Sequence, residues 1–362
     1  MPSESWHLLA NFGAEEGRPA NLDEPVYHRL ARLWSLLFHS PVHWITPVPT
    51  SDISEIFDDT SDPLARLTTS PAGIAWLSTN SSHRSINELG LSDVGPPPAI
   101  VRHCHDKAFV LRDPLPQDPI ATCSRVFHPA DRADVASLMR NLEETIGTWP
   151  SWAQEDWTLK PRFGSSGRGR VAGSRLDVDT SILRGSLPRL MEQGGFVLQP
   201  FCRERTDLSV QLDIPNNPDR PVRVIGSLRP IVTTSGSYQG HQGVARDGTT
   251  SSHHPFDPIL REQATTLAQR ARELGFFGPC GIDAFVYEHD GMAQMHLCEF
   301  NARWTVGHVT HGIVRRLADK LDFISEGFEF RLDESLADSD RRSIPLTSRN
   351  KDTAATLTPW SG

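Results

Sequence analysis

Residues 275–307 read GFFGPCGIDAFVYEHDGMAQMHLCEFNARWTVG. Two runs within it, 282–287 and 295–300, are rich in apolar and aromatic residues, and EHDG between them marks a hairpin bend. A pairing centred near Gly291 sets Asp283 opposite Glu299, with Cβ atoms about 5 Å apart. Asn301, two residues beyond Glu299, faces the same way roughly 7 Å further on. Two carboxylates and an amide oxygen on one face form a hard-oxygen set of the kind Mg²⁺ takes together with phosphate oxygens. Arg303 adds a cation beside them. The alternative is a solvated polar face on an ordinary hairpin.

Working outward, the next informative stretch is 157–171, WTLKPRFGSSGRGRV. Gly164, Ser165, Ser166 and Gly167 carry little side-chain bulk, so backbone N–H groups can approach phosphate oxygens. Lys160 stands at the mouth of this turn, and Arg162, Arg168 and Arg170 make it locally positive. The order is GxxGxG, with neither a Walker A ending nor the dinucleotide fingerprint. A basic solvent hairpin is the competing reading. Between these two stretches, FVLQPFCRERTDLSV at 196–210 ends an apolar run at Gln199, Phe201 and Cys202. A turning strand edge of this kind offers an adenine ring one donor and one acceptor, and Asp207 could hold a ribose hydroxyl.

Composition narrows the function classes. Three hundred and sixty-two residues exceed one typical domain, and 38% hydrophobic residues suffice for a core. A formal charge of −9 argues against a general nucleic-acid or membrane-surface binder. Five cysteines without a CxxC pair point to reduced thiols in a cytoplasm. No apolar run reaches spanning length, and no signal pattern opens the chain, so a soluble cytoplasmic protein is expected.

Alternating strand and helix patterns over roughly the first hundred residues suggest a small parallel α/β domain. Within it, 97–101 reads as a strand and 62–67 as a short helix. Farther along, 258–274 has the strongest helical pattern, with Gly275 ending it. The Gly/Ser/Thr/His-rich segment 233–254 reads as a mobile loop, and 333–362 as poorly ordered. His241, His308 and His311 are candidates to line a substrate cleft.

Taken in order, these motifs resemble the ATP-grasp superfamily of carboxylate–amine ligases. The resemblance covers about residues 102–312. It implies an α/β pre-ATP-grasp domain at 1–100, followed by an α+β ATP-grasp domain at 101–320 with lobes near 101–195 and 196–320, then a polar tail. By the same resemblance Lys107 and Lys160 hold ATP phosphates, Gln199, Phe201 and Cys202 form the adenine hinge, and Asp207 holds the ribose. Asp283, Glu299 and Asn301 match the Mg²⁺ ligands, and Arg303 the arginine that meets the substrate carboxylate or acyl phosphate. Arg229 is a further candidate for the γ-phosphate or substrate. The implied reaction joins a small-molecule carboxylate to an amine, with an amino acid or peptide as substrate, through an acyl phosphate with release of ADP and phosphate. A homodimer is open to such a protein. The hinge departs from the usual Glu by starting with Gln199–Pro200, and NARWTVGH departs from the common tail of the metal motif. Two alternatives remain at this point: a carboxylate kinase or carboxylase relative, and a nucleotide-binding protein without turnover.

Overall fold

The hairpin that opens the sequence reading forms as the apolar runs require, and the strands beside it carry most of the chain's β-structure. The computed structural model describes residues 6–16, 25–38, 42–45, 57, 72–112, 118–129, 134–164, 169–174, 181–233, 238–335, 342–347 and 353–360. In chain order they form β1 (Trp6–Leu9), α1 (Pro25–Ser35), β2 (Val42–Trp44), β3 (Ala72–Ala75), α2 (Asn80–Glu88), β4 (Ser92–Asp93) and α3 (Pro98–His105). There follow α4 (Ala108–Leu111), α5 (Pro119–Cys123), β5 (Arg125–Phe127), α6 (Val135–Gly147), β6 (Asp156–Pro161), β7 (Val171–Ser174), α7 (Ser181–Glu192) and β8 (Phe196–Pro200). The remainder is β9 (Arg205–Ile214), β10 (Arg223–Val232), β11 (Tyr238–Arg246), β12 (Thr249–Ser251), α8 (Asp257–Glu273), β13 (Gly278–His289) and β14 (Met292–Asn301). It closes with α9 (Val306–Leu317), β15 (Phe328–Ser335), β16 (Ile344–Pro345) and β17 (Thr353–Pro359). No helix among the described residues is long and apolar enough to cross a membrane.

Contacts divide the chain into two units. The first comprises Met1–Cys104, Leu208–Ile282 and Asn301–Gly362, the second His105–Asp207 and Asp283–Phe300. In the first unit a parallel sheet runs β2-β1-β3-β4, as the alternating pattern predicts. Helix α1 buries Leu30, Leu33 and Trp34, and Trp34 meets Trp76 at 5.4 Å and Trp304 at 6.2 Å between ring centroids. A nine-stranded sheet is ordered β14-β13-β9-β10-β12-β11-β15-β17-β16. In the second unit, β5-β8-β6-β7 form an antiparallel sheet. Its core joins Leu138, Leu142 and Ile146 of α6 and Leu183, Leu187 and Leu190 of α7 to Trp157, Leu159, Phe196 and Leu198.

Three expectations are corrected. Residues 97–101 do not extend; they enter α3, because Val101 and Cys104, three apart and both buried, lie on one helical face. Most of 233–254 is strand: β11 and β12 pair with each other and with β10, burying Val244 and Ala245. Gly240 and Gly243 serve close packing, since a Cβ would stand 2.0 Å from the Phe330 carbonyl oxygen at the first and 2.8 Å from the Ser251 carbonyl oxygen at the second. The described part of 333–362 is likewise strand. Leu357 on β17 is fully buried beside Phe328 and Phe330 of β15, so a polar composition hides an apolar alternate face. The helix expected at 62–67 lies outside the described residues.

Helix α8 spans Asp257–Glu273, close to the predicted 258–274. It ends where expected, with the Gly275 N–H on the Arg272 carbonyl at 2.8 Å and Gly275 at φ +95°. Helix α7 stops at Gly194 and Gly195, both at positive φ. Gly195 is the tighter of the two, because a Cβ there would sit 2.0 Å from the Phe127 carbonyl oxygen. Gly195→Ala therefore combines backbone strain with a clash against rigid backbone and should cost about 2–6 kcal/mol. A thermal melt within a degree or two of the unaltered protein would show that the turn relaxes without cost.

Candidate functional site

Charged residues from separate segments of the second unit gather around Glu299. Lys107 stands at the entry to α4, its N–H bonded to the Arg162 carbonyl at 3.0 Å. Arg162 is itself fixed by an ion pair with Asp106 and a 2.9 Å bond to the Gly194 carbonyl. Thus anchored, Lys107 Nζ donates to the Gly164 carbonyl at 2.8 Å and pairs with Glu299 Oε2 at 2.8 Å. Burial pushes the Glu299 carboxyl up, but the Lys107 ammonium and its hydrogen bond, then His105 and Lys160, outweigh it and bring the group down to about 2. Glu299 is therefore ionised at every physiological pH.

Lys160, near the end of β6, is the second cation. Burial lowers its pKa, Arg205 and Lys107 lower it further, and Cys298 and Glu299 act in the opposite sense. Lys107 and Arg205 thus act on Lys160 as like charges, a repulsion that an incoming anion would relieve. Gly164, at φ +136°, is the last described residue before the rest of the Gly-rich stretch; Ser165, Ser166 and Gly167 lie outside the described residues.

The hinge residues are placed differently from one another. Gln199 is buried, and its amide nitrogen reaches His296 Nε2 at 3.1 Å and Ser124 Oγ at 3.3 Å. Phe201 has guanidinium groups near its ring, Arg170 at 5.1 Å and Arg205 at 5.5 Å from the centroid. Its N–H bonds to the Asp156 carbonyl at 3.0 Å. Cys202 packs beside Phe285 and Tyr287, and burial pushes its thiol up to about 11, so it is a neutral contact rather than a nucleophile. Asp207 pairs with Arg205 at 3.0 Å. Arg205, His296 and Asp118 were not singled out in the sequence reading, whereas Arg170 was, as part of the basic Gly-rich stretch. The RERTD run around Arg205 was the one available signal.

The hairpin turn is two residues, Asp290 and Gly291, both at positive φ. The Phe285 ring lies 5.2 Å from His296. Asp283 acts electrostatically on Cys298, while Glu299 acts on Lys160 and pairs with Lys107. Asn301 ends β14 in the first unit and is buried. In that unit Arg303 pairs with Glu15 at 3.4 Å and donates from Nη1 to the Trp304 carbonyl at 2.9 Å. Arg229 lies over the Trp360 ring at 5.6 Å and approaches the His253 carbonyl at 3.5 Å. His241, His308 and His311, expected along a cleft, are all buried. His308 donates from Nε2 to the Leu212 carbonyl at 3.2 Å, and His241 Nδ1 lies 2.8 Å from the Tyr238 hydroxyl and 3.2 Å from Thr310 Oγ1.

No family model matches this chain, and no curated protein sequence matches it. Solved structures do. Biotin carboxylase from Campylobacter jejuni, as a β-γ-ATP complex, is 14% identical and aligns over 98% of this chain and 87% of its own, with a TM-score of 0.54. The biotin carboxylase domain of Hydrogenobacter thermophilus 2-oxoglutarate carboxylase is 13% identical over 98% of this chain and 86% of its own, with a TM-score of 0.52. N5-carboxyaminoimidazole synthetase from Staphylococcus aureus, complexed with ADP, is 10% identical over 99% and 94%, also at 0.52. The chain has the ATP-grasp fold.

The residues present fit an ATP-grasp ligand set. A polyphosphate suits the Lys107, Lys160 and Arg205 cations, three positive charges that act on one another beside the two carboxylates Glu299 and Asp207. Among the described residues no three His, Cys, Asp or Glu side chains gather as a metal-ligating group. Glu299, held ionised, is a hard-oxygen donor of the kind Mg²⁺ takes alongside phosphate oxygens and water.

Proposed function

We propose that this protein is an ATP-dependent ligase that joins a carboxylate to an amine. The observation that carries the reading is the Lys107–Glu299 pair at 2.8 Å, with Lys107 also on the Gly164 carbonyl and half-buried Lys160 acting on the same carboxylate. Lys107 and Lys160 would hold ATP phosphates, with the amides of residues 164–167 beside them. Gln199, Phe201 and Cys202 would flank the base and Asp207 the ribose. Mg²⁺ held by Asp283, Glu299 and Asn301 would supply neutralisation of charge on the phosphates. A carboxylate oxygen of the substrate attacks the γ-phosphorus, and the bond to the β–γ bridging oxygen breaks with its electron pair, giving ADP and an acyl phosphate. The amine nitrogen then attacks the acyl carbon and loses its proton, and inorganic phosphate leaves. Arg303 would stabilise the oxyanion of that step, and Arg229 would steady the substrate carboxylate.

The fold relatives support ATP use, since their solved complexes hold ATP-type nucleotides or ADP. They also favour a second reading, in which bicarbonate is the carboxylate, because the Hydrogenobacter thermophilus domain was solved with MgADP and bicarbonate. An amino acid or peptide is the substrate class proposed first.

The test is a product assay across amino acids, dipeptides and bicarbonate. ADP and inorganic phosphate should appear only with the correct carboxylate, and hydroxylamine should divert the acyl phosphate to a hydroxamate when the amine is withheld. Bicarbonate-dependent ADP release without any amino acid would select the carboxylase reading. AMP and pyrophosphate would refute both.

A further inference from the structure

Gln199 closes β8 on a buried polar chain that leads back to α5. Asp118 Oδ1 accepts the Ile120 and Ala121 N–H groups at 3.1 Å each, which leaves Oδ2 to accept from His296 Nδ1 at 2.8 Å. On its other side His296 Nε2 is 3.1 Å from the Gln199 amide nitrogen. That nitrogen also donates to Ser124 Oγ at 3.3 Å, while the Ser124 hydroxyl hydrogen goes to the Ile120 carbonyl at 2.8 Å. Asp118, His296 and Gln199 are 5%, 1% and 3% exposed, so water does not compete for these bonds.

The direction of every bond in this chain follows from its first member. An ionised carboxylate only accepts, so the hydrogen of the imidazole is on Nδ1. Burial, opposed by the hydrogen bond to Asp118, keeps His296 neutral, so Nε2 carries a lone pair. Gln199 must therefore turn its NH₂ toward His296, and the Ser124 lone pair takes the second hydrogen. The amide orientation is thus set by chemistry rather than by assignment. The acceptor Oε1 lies on the far side of the amide carbon, and among the described residues it has no hydrogen-bond partner.

Resting on the ATP reading above, we propose that Asp118 and His296 are positioning residues that lock Gln199 so that it presents an acceptor to the nucleotide base. The site then takes a purine whose 6-position carries an amino donor, adenine, and rejects one with a carbonyl acceptor there, as in guanine or hypoxanthine. Two acceptors facing each other in a site without water leave both unpaired, and such mismatches discriminate strongly.

Asp118→Asn tests this with almost no change of shape. The Asn oxygen keeps the α5 cap while its NH₂ replaces Oδ2 and donates to His296 Nδ1. The imidazole hydrogen moves to Nε2, Gln199 flips, and its NH₂ faces the base. Binding of ATP, GTP and ITP is measured by calorimetry. The unaltered protein should prefer ATP, and Asp118→Asn should shrink the ATP-to-ITP and ATP-to-GTP preference by about tenfold or more. Adding Gln199→Glu to that variant should restore the preference, because one carboxylate oxygen accepts from His296 Nε2 while the other accepts from adenine. A merely structural role would weaken all three nucleotides equally and leave the ratios unchanged, which overturns the proposal. Nitrogen NMR of His296 in the unaltered protein should show the Nδ1–H tautomer; Nε2–H overturns it without any variant. Absence of nucleotide binding by the unaltered protein overturns both this inference and the ligase reading, whereas ATP binding with equal GTP affinity overturns the inference alone.

Discussion

Glu299→Gln should lower turnover by about 10²–10³-fold, as loss of one preorganised charge-stabilising group does, while ATP still binds. The carboxylate is held near pKa 2 by Lys107, His105 and Lys160 against its own burial, so a full negative charge is maintained where the proposed Mg²⁺ must be held. Gln keeps the shape and removes that charge. Lys107 and Lys160 remain, and Lys107, freed of its carboxylate, gains reason to meet phosphate. Lys160→Ala should show the opposite split. Losing a charge-assisted contact to phosphate costs about 1.5–3 kcal/mol, or tenfold or more in affinity. Steady-state kinetics beside calorimetry separate the two variants. Unchanged turnover in Glu299→Gln would remove this residue from the chemistry.

Acid should unfold the protein from about pH 6.5 downward, well before most carboxylates titrate. His241 and His311 are pushed down by burial to about 3 and His308 to about 4, from an ordinary value of 6.5. In the unfolded chain each takes a proton near 6.5; in the folded chain none does until far lower pH. Between those limits the unfolded state binds more protons, so stability is fully present above 6.5 and is lost as pH falls toward the folded values. Each histidine contributes a slope of about 1.4 kcal/mol per pH unit, roughly 4 kcal/mol for the three. Against a typical stability of about 5–15 kcal/mol, that is exhausted within a few pH units. Glu299 adds a loss of its own only below its ordinary value of 4.5. Urea melts at pH 7, 6 and 5 measure the slope, and His311→Gln should reduce it by about a third. A midpoint that stays constant from pH 7 to 5 would mean these rings are reached by water.

The chain itself carries the hairpin, the α8 stripe, the glycines that stop α7 and α8, and the parallel start of the first unit, because each follows from local periodicity and turn chemistry. It also carries the order of lysines, Gly-rich turn, hinge and carboxylates, from which the ATP-grasp fold was legible. Packing decided what lay beyond local pattern. Residues 238–251 and 353–359 look polar and loose, yet they are strands, because Val244, Ala245 and Leu357 find apolar partners distant in sequence. Lys107 and Glu299, nearly two hundred positions apart, meet only through the fold, and their separate motifs say nothing of an ion pair. The same holds for Asp118 and His296, which sequence alone leaves as an unremarkable acid and an unremarkable ring. Hydrogen-bond direction, burial and the sign of a pKa shift depend on what surrounds a group, and those surroundings come from segments remote in the chain.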